Sequence, residues 1–391
     1  MGDRPIYMDH NATTPVDPRV VEAMLPCFTE HFGNAASRTH AYGWAAARLA
    51  DDARERLAAA LGAHPEEVVF TSGATESNNL AIKGMAWALR GRGTHLVTCA
   101  TEHKAVLDPC RRLTQEGFRV TVLPVDGMGR LTPGEVVETL AAETILVSVM
   151  LANNETGTLH PVAEIAGSCH ERGVLLHCDA TQAIGKIPVD LASLGADLVS
   201  LSAHKIYGPK GVGALVVRRQ RPRLRPLPLF DGGGHEQGVR SGTLNVPGVV
   251  GLARALELCL ADLDSEARRL AALRDRLRTV IVSGLTDVVE NGHPSERLPN
   301  TLNLSFAGVD GAALLVALRE VAVSSGSACT SADPTPSHVL AAMGVPRNLA
   351  HASLRFSLGR ANTGEDVETV AAGVVREVTR LRERSPLWRR P

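Results

Sequence analysis

The sequence predicts an α/β fold, with a large domain built on a mainly parallel seven-stranded sheet and a smaller domain of α+β type. Short runs of β-branched and apolar residues alternate with longer stretches of helical period, which is typical of a buried parallel sheet. The length of 391 residues exceeds what one hydrophobic core usually organises, so two domains are expected. The runs predicted as strands of the large sheet are 68–71, 95–99, 119–123, 145–150, 174–178, 197–202 and 213–217.

Helical periodicity defines the connections between these strands. A helix is predicted over 43–61, because apolar residues recur on one face and Gly62 provides a C-terminal stop. A second helix is predicted over 161–172. The stretch 221–234, rich in proline and glycine, indicates irregular backbone after the last strand of the sheet.

The second domain is predicted from the elements that follow. A long helix over 246–282 would bridge the two domains. We assign 16–250 to the large domain, and 1–15 together with 251–391 to the small one. The elements predicted in the small domain are strands 300–306 and 352–357 and helices 311–319 and 365–383.

The composition excludes some classes of function. The 41 basic and 42 acidic residues give a net charge of -1, which removes the broad electrostatic attraction to nucleic acid or anionic membranes. No apolar run approaches the roughly 20 residues of a membrane helix and no signal peptide is recognisable, so a cytoplasmic protein is expected. The 7 cysteines include no C-x-x-C pair, which favours reduced thiols.

Polar residues follow five of the predicted strands at the point where each strand ends. In open α/β sheets ligands bind beyond the carboxyl ends of the strands, so these residues are expected to meet at one edge. Each has an ordinary alternative: Thr75 and Asp179 could be helix caps, Asn154 a turn residue and His103 a surface histidine. Together they describe a site. The five segments are 72–75, 102–103, 153–155, 179–182 and 203–205.

The chemistry of these segments matches the needs of pyridoxal 5′-phosphate (PLP). PLP requires a lysine to bind its aldehyde, an acid that keeps its pyridine nitrogen protonated, and donors for its phosphate. Among the five lysines of the sequence, Lys205 alone follows a strand within a polar segment. The small and hydroxyl residues of 72–75 precede a helix, which favours an anion site. Lys210 lies in a turn without P-loop spacing and is interpreted as structural, or as a secondary helper of that turn.

Longer motifs in the same regions carry a resemblance to a known family. They are SAHKIYGPKG (202–211), YMDHNATTP (7–15), TSGATESN (71–78), NNE (153–155) and DATQ (179–182). Over nearly its whole length the chain resembles the cysteine desulfurases, within class V of the aminotransferase-like PLP enzymes. The resemblance implies PLP fold type I, conversion of L-cysteine to L-alanine, and a homodimer.

The resemblance also implies roles for single residues. Lys205 would bind the cofactor covalently and remove the substrate α-proton, Asp179 would pair with the pyridine nitrogen, and His103 would stack on the ring and take the substrate thiol proton. Gln182 and Asn154 match ring-contacting residues. The residues that match phosphate-binding positions are Ala74, Thr75, Ser202, His204 and, donated by a neighbouring subunit, Thr243.

The substrate carboxylate is expected to meet an arginine. Arg355 lies in a predicted strand, and its planar, two-pronged guanidinium suits a carboxylate. The family pattern assigns this task to Arg355 with help from Asn34, and Asn154 is also expected to contact the substrate.

One cysteine differs from the others. Cys329 lies in the small, polar stretch 324–334, which is expected to be an exposed loop, although a harmless surface thiol is the alternative. The motif SGSACTS (325–331) resembles the nucleophile loop of the longer-loop group of the family, which implies that Cys329 receives the substrate sulfur as a persulfide. It could also ligate a transferred iron–sulfur cluster, whereas no resident metal site is predicted. The cysteines expected to be buried are Cys27, Cys99, Cys110, Cys169, Cys178 and Cys259.

Other functions stay open at the level of sequence. Within PLP enzymes the alternative is a selenocysteine lyase or another class V lyase, and outside them a non-catalytic iron–sulfur scaffold. The persulfide acceptor is expected to be a protein such as an iron–sulfur scaffold or a tRNA-thiolation enzyme. The chain stops soon after SPLW (385–388), where housekeeping members of the family continue with a scaffold-docking tail, so the acceptor is not decided.

Overall fold

The computed structural model describes residues 4–219, 223–325, 336–385 and 388. Its strands form a seven-stranded sheet, a three-stranded sheet and a two-stranded pair. The strands in chain order are β1 (Ile6–Tyr7), β2 (Val68–Thr71), β3 (His95–Cys99), β4 (Arg119–Leu123), β5 (Thr144–Ser148), β6 (Leu175–Asp179), β7 (Leu198–Ser202), β8 (Gly213–Val217), β9 (Val288–Glu290), β10 (Thr301–Phe306), β11 (Val321–Ala322) and β12 (Ser353–Ser357).

Helices connect most of these strands, and none in the described ranges is both long and apolar enough to cross a membrane. The π-helical turn Leu80–Gly84 joins α4 to α5, and a 3-10 turn, Ala203–Lys205, follows β7. The α-helices are α1 (Pro18–Met24), α2 (Pro26–Thr29), α3 (Ala41–Leu61), α4 (Ala74–Asn79), α5 (Met85–Ala88), α6 (Lys104–Gln115), α7 (Pro133–Thr139), α8 (Val162–Glu171), α9 (Leu191–Leu194), α10 (Val246–Ala261), α11 (Leu263–Gly284), α12 (Gly311–Ala317), α13 (His338–Ala342), α14 (Arg347–His351) and α15 (Gly364–Arg384).

The large sheet brings the ends of its strands to one edge. Its order is β2-β8-β7-β6-β5-β3-β4, with parallel pairing from β7 to β4. Only β8 runs against its neighbours β2 and β7, so the other strands all point the same way. The prediction of a mainly parallel seven-stranded sheet is therefore confirmed, and the carboxyl ends of six strands face one side.

Both faces of this sheet are apolar, which explains its hydrophobic strands. Adjacent residues of one strand enter different cores: Leu96 packs with the Leu80–Gly84 turn, α5 and α6, whereas Val97 packs with α3, α8 and α10. Leu175 and Leu176 divide in the same way. A strand covered on both faces by helices buries every side chain, so its sequence is a continuous apolar run rather than an alternating one.

The three-stranded sheet β12-β10-β9 carries a separate core with α11 and α15. Met8 belongs to that core, and β1 pairs in parallel with β11, so the N-terminal segment packs there. The helix predicted over 246–282 is wrong in one respect, because the chain breaks at Asp262 (φ -115°, ψ 11°) into α10 and α11. α10 packs on the large core and α11 on the small one, so the two helices follow different surfaces. The domain limits assigned from the sequence stay a prediction.

Candidate active site

A cavity of about 560 Å³ lies at the edge of the large sheet where the strands end. Residues that follow β2, β3, β5, β6 and β7 form its walls, as expected for an open α/β sheet. Most of the predicted site residues meet there. Those that line the cavity are Ala74, Thr75, His103, Asn154, Asp179, Gln182, Ser202, His204, Lys205 and Arg355.

Asp179, the last residue of β6, is fixed from two sides. Its Oδ2 accepts a hydrogen bond from Asn78 Nδ2 at 2.7 Å, and its Oδ1 accepts one from the Thr181 amide at 3.0 Å. Only 7% of the residue is exposed. The carboxylate is therefore held in one orientation at the cavity wall before any ligand arrives.

Lys205 ends the 3-10 turn after β7, the strand next to β6. Its Nζ donates to the main-chain oxygens of Asn11 at 2.5 Å and Ala12 at 2.7 Å. Adjacent parallel strands thus deliver an amine and a carboxylate to one cavity. The preceding His204 shares a hydrogen bond with Thr13 Oγ1 at 3.2 Å, and burial followed by the nearby lysine charges lowers its pKa to about 4.

His103 caps α6 at the cavity wall. Its Nδ1 accepts a hydrogen bond from the Ala105 amide at 3.1 Å, which assigns the proton of the neutral ring to Nε2. Burial lowers the pKa of His103, so the neutral ring is favoured. The preceding Glu102 is wholly buried, and burial together with the Asp179 charge raises the pKa of this carboxyl well above its usual value. The neutral form of Glu102 is therefore favoured.

The turn between β2 and α4 forms another part of the wall. Gly73 has φ +146°, a conformation that side-chain-bearing residues rarely adopt, so the turn requires glycine. The first turn of a helix leaves amide groups without intrahelical partners, which suits an anion. The carboxylate of Glu76 faces the same region but is paired with Arg240 at 2.8 Å and accepts the Ser72 amide at 2.7 Å.

Arg355 on β12 enters the cavity from the small sheet. Its Nη2 pairs with Asp9 Oδ1 at 2.6 Å, and its Nη1 donates to the main-chain oxygen of Asn154 at 2.9 Å. Its Nε is buried and has no partner among the described residues. Asp9 also accepts a hydrogen bond from Ser324 Oγ at 2.9 Å, so it links Arg355 to Ser324.

Two predicted site residues do not line this cavity. Asn34 is exposed, and its Oδ1 accepts the Ala36 amide at 2.9 Å. Thr243 is exposed as well. Cys329 lies outside the described residues.

The other six cysteines are buried, which confirms that prediction. Burial raises the pKa of Cys99, Cys110 and Cys169 to about 12, so these thiols are neutral and unreactive. Within the described ranges, no three His, Cys, Asp or Glu side chains converge on a site for a metal ion.

Sequence reasoning gave no role to three residues of the site. Asn78 holds Asp179, Asn11 accepts from Lys205, and Lys186 donates to Asn11 Oδ1 at 3.0 Å. Asn78 lies within the motif TSGATESN and Asn11 within YMDHNATTP, and this position in a family motif is the signal that could have identified them. Lys186 follows no strand, so its position at the site depends on the fold alone.

The residues of the cavity fit PLP. Its volume lies within the range of roughly 300–1,000 Å³ that is typical of small-molecule and cofactor sites. Lys205 and Asp179 supply an amine and an acid on neighbouring strands, and the turn at 72–75 supplies an anion site. The unpartnered Nε of Arg355 offers a buried donor to a further anionic group, such as a carboxylate.

Comparison with known proteins agrees with this fit. The aminotransferase class-V family matches residues 6–370. Cysteine desulfurase IscS of Anaeromyxobacter dehalogenans is 56% identical over 384 residues, which cover 98% of this chain and 95% of that protein. The human cysteine desulfurase is 52% identical over 385 residues, covering 98% of this chain and 84% of that protein.

Solved structures have the same fold. A NifS-like protein superposes with a TM-score of 0.89 at 38% identity and covers 96% of this chain and 100% of its own. SspA in complex with cysteine superposes with a TM-score of 0.81 at 37% identity, covering 90% and 98%.

Proposed function

This chain belongs to the aminotransferase class-V family, and we propose that it is a PLP-dependent cysteine desulfurase that converts L-cysteine to L-alanine. The observation that carries the proposal is the meeting of Lys205, Asp179 and Arg355 in one cavity. When bound, PLP supplies an electron sink that makes the α-proton of an amino acid acidic. Every other part of the reaction falls to residues of the chain.

The cofactor would be held by contacts at each end of its ring. Lys205 would bind the aldehyde carbon, Asp179 would pair with the pyridine nitrogen, and His103 would cover one face of the ring. Asn154 and Gln182 flank the ring. The phosphate-binding residues are Ala74, Thr75, Ser202 and His204, with Thr243 from a second copy.

Lys205 also carries the α-proton. Its Nζ is held by two carbonyl oxygens, Asn11 and Ala12, which accept hydrogen bonds but take no proton. When it is not bound to the cofactor, the amine would accept the proton at Nζ. His103 is less free to act as a base, because taking the substrate thiol proton at Nε2 requires moving its own proton to Nδ1, with loss of the cap on Ala105.

Arg355 binds the carboxylate of L-cysteine in this proposal. The Nε is unpartnered among the described residues, and each Nη has a second N–H beyond its observed bond. Asp9 and the Asn154 oxygen fix the guanidinium, so a carboxylate meets a pre-oriented fork. Asn34, which does not line the cavity of a single chain, would assist in binding this carboxylate.

Cys329 is the proposed sulfur acceptor. Its thiolate attacks the substrate sulfur, so that an S–S bond forms while the C–S bond breaks. The electron pair of the C–S bond stays on the carbon that becomes the methyl group of alanine and takes up a proton. The persulfide on Cys329 then passes to an acceptor protein, such as an iron–sulfur scaffold or a tRNA-thiolation enzyme.

A homodimer completes the site. The surface around α1, α2 and the start of α3 exposes large apolar side chains, and patches of this kind mark interaction surfaces. The rings of Phe32 and Tyr42 lie 5.3 Å apart on it. Asn34 follows Phe32, so a second copy seated there would approach this predicted substrate residue. The exposed side chains are Val21, Leu25, Phe28, Phe32, Tyr42 and Trp44.

Replacing Cys329 tests the proposed activity. With L-cysteine and a reducing agent, Cys329→Ser should release no sulfide but should keep the visible absorbance of lysine-bound PLP, because Lys205 and Asp179 are unchanged. Cys27→Ser is the matched control, since Cys27 is buried on α2 away from the cavity, and it should release sulfide at the wild-type rate. Undiminished release by Cys329→Ser would remove Cys329 from the mechanism.

A further inference from the structure

We propose that Lys186 is a positioning residue of this reaction, which fixes the side-chain amide of Gln182 so that an N–H group, and not the amide oxygen, faces the cofactor. The proposal rests on the proposed function, because it concerns the same PLP site. The Lys186 amine donates to Gln182 Oε1 at 2.6 Å and to Asn11 Oδ1 at 3.0 Å.

These contacts orient the amide of Gln182. Its oxygen is held by Lys186, and its Nε2 donates one hydrogen bond to the main-chain oxygen of Asn11 at 2.9 Å. An amide nitrogen has two N–H groups, so one is left by these contacts for a ligand in the cavity that Gln182 lines. The oxygen beside the aldehyde of PLP is an acceptor, to which an N–H is complementary and an amide oxygen is repulsive.

The protonation state of Lys186 agrees with this role. Burial, followed by the charges of Lys205 and Arg355, lowers the pKa of the amine well below its usual value. A neutral amine has two N–H groups, which match the two acceptors Gln182 and Asn11. In the neutral form, which the lowered pKa favours, Lys186 provides two donors without adding another positive charge beside Lys205 and Arg355.

Several elements direct titratable or charged groups toward this amine. A positive charge on Lys186 would act on all of them. These groups are Lys205 and His204 after β7, Arg355 on β12, Cys259 on α10, and His10 in the N-terminal segment.

Lys186 is also connected to the site by its hydrogen bond to Asn11. The main-chain oxygen of Asn11 accepts from Lys205, and its Nδ2 donates to the main-chain oxygen of Asn154 at 3.2 Å. That same Asn154 oxygen accepts from Arg355. The Lys186 amine is therefore linked both to the cofactor lysine and to the support of the substrate arginine.

Absorbance titration of the PLP-loaded protein tests the proposal. Lys186→Met keeps the length of the side chain and removes both donors. The apparent pKa of the visible band of lysine-bound PLP should rise by about one pH unit, a tenfold change in proton affinity, because the ring oxygen without its donor attracts the neighbouring proton more strongly. Lys83→Met is the matched control, since Lys83 lies in the Leu80–Gly84 turn and does not line the cavity, and it should titrate as wild type.

A double-mutant cycle separates positioning from bulk structure. If Lys186 acts through Gln182, the double variant Lys186→Met/Gln182→Ala should titrate like Gln182→Ala alone. An unchanged titration in Lys186→Met, or two shifts that simply add, would overturn the proposal. If Lys186→Met does not fold, Lys186→Gln, which retains an N–H donor without charge, enters the same cycle and should shift the titration less.

The same experiment distinguishes the two proposals. A wild-type protein that forms no visible band with PLP would overturn the proposed function and this inference together. A normal wild-type band with wild-type titration in Lys186→Met or its substitute would overturn the inference alone.

Discussion

The residues that line the cavity differ from the predicted site residues outside it in how the chain holds them. Asp179 ends a buried strand and Lys205 ends the short turn after the next one, and hydrogen bonds hold both side chains. Asn34 and Thr243 lie on exposed segments. Strand ends fixed in a sheet have little freedom, whereas exposed segments can be ordered by contact with another surface.

This difference divides the site by task. The groups proposed for proton and electron chemistry are preorganised within one chain, which lowers the cost of reorganisation during reaction. The groups proposed to complete phosphate and carboxylate binding are exposed in one chain, and in the proposal they act together with a second copy. Mutations on the two sides should therefore have different signatures.

The largest effect is expected on the buried side. Asp179→Ala should lower kcat for alanine formation by roughly two to three orders of magnitude, the usual cost of a lost preorganised electrostatic partner. Alanine production at saturating PLP measures it. Asp197→Asn changes another buried carboxylate, which lies just before β7 and accepts the Leu176 amide near the start of β6, and should stay within a few-fold of wild type. Equal losses in both variants would show that sheet stability, not the cofactor contact, is responsible.

Arg355 lies between the two regions, since it is buried but comes from the small sheet. Arg355→Lys removes the planar fork and should raise KM for L-cysteine roughly ten- to a hundredfold with less change in kcat. Binding of cysteamine, which lacks the carboxylate, should be nearly indifferent to the change. Arg297→Lys, at a buried arginine paired with Glu290 outside the cavity, is the control. Equal weakening of cysteine and cysteamine would refute the assignment.

The exposed side can be tested by mixing subunits. Thr243→Ala should weaken PLP binding about tenfold or more, the value of a hydrogen bond to a charged group. If Thr243 serves the partner's site, co-expression with Lys205→Ala should restore about a quarter of wild-type activity, because random pairing makes half of the dimers mixed and one of the two sites in each mixed dimer is intact. Activity no higher than the average of the two parent variants would place Thr243 in its own subunit's site. The distinction between residues held within one chain and residues that serve a second copy would then fail for Thr243.

Acid should lower the free energy of unfolding through buried histidines. Burial lowers the pKa of His160 and His177 to about 4, from an ordinary value near 6.5. Between these values the unfolded chain binds more protons than the folded one, so stability falls as pH falls from 6.5 toward 4. At pH 5 each histidine should contribute a loss of roughly 2 kcal/mol.

Urea unfolding at pH 7 and pH 5 measures this loss. His160→Asn, which can still accept the Leu131 amide, should lose less stability on acidification than wild type. His31→Asn, on the partly exposed segment before Asn34, should behave as wild type. An acid loss that is the same in all three proteins would show that buried histidines do not cause it.

Much of the large sheet could be predicted from sequence because burial on both faces leaves mostly apolar residues in its inner strands. The strand ends carried the polar residues, so Asp179, Lys205 and His103 were found together. The break at Asp262 could not be predicted, because neither proline nor glycine marks it and the helical pattern continues. It arises because α10 and α11 pack on different cores.

Other parts of the site depend on contacts that sequence does not display. Lys186 follows a glycine and has no strand before it, so only the fold reveals its contact with Gln182. The pairing of Asp9 with Arg355 joins residues at opposite ends of the chain. Burial of a charged side chain is a tertiary property, and a sequence pattern cannot report it.

Trapping the cofactor on the chain tests the central claim most directly. Borohydride reduction of the PLP-loaded protein, followed by digestion and mass spectrometry, should place the added mass on Lys205 alone, because this amine shares a cavity wall with Asp179. A label on Lys186 or Lys210, or no label in a protein that still forms alanine from cysteine, would contradict the account.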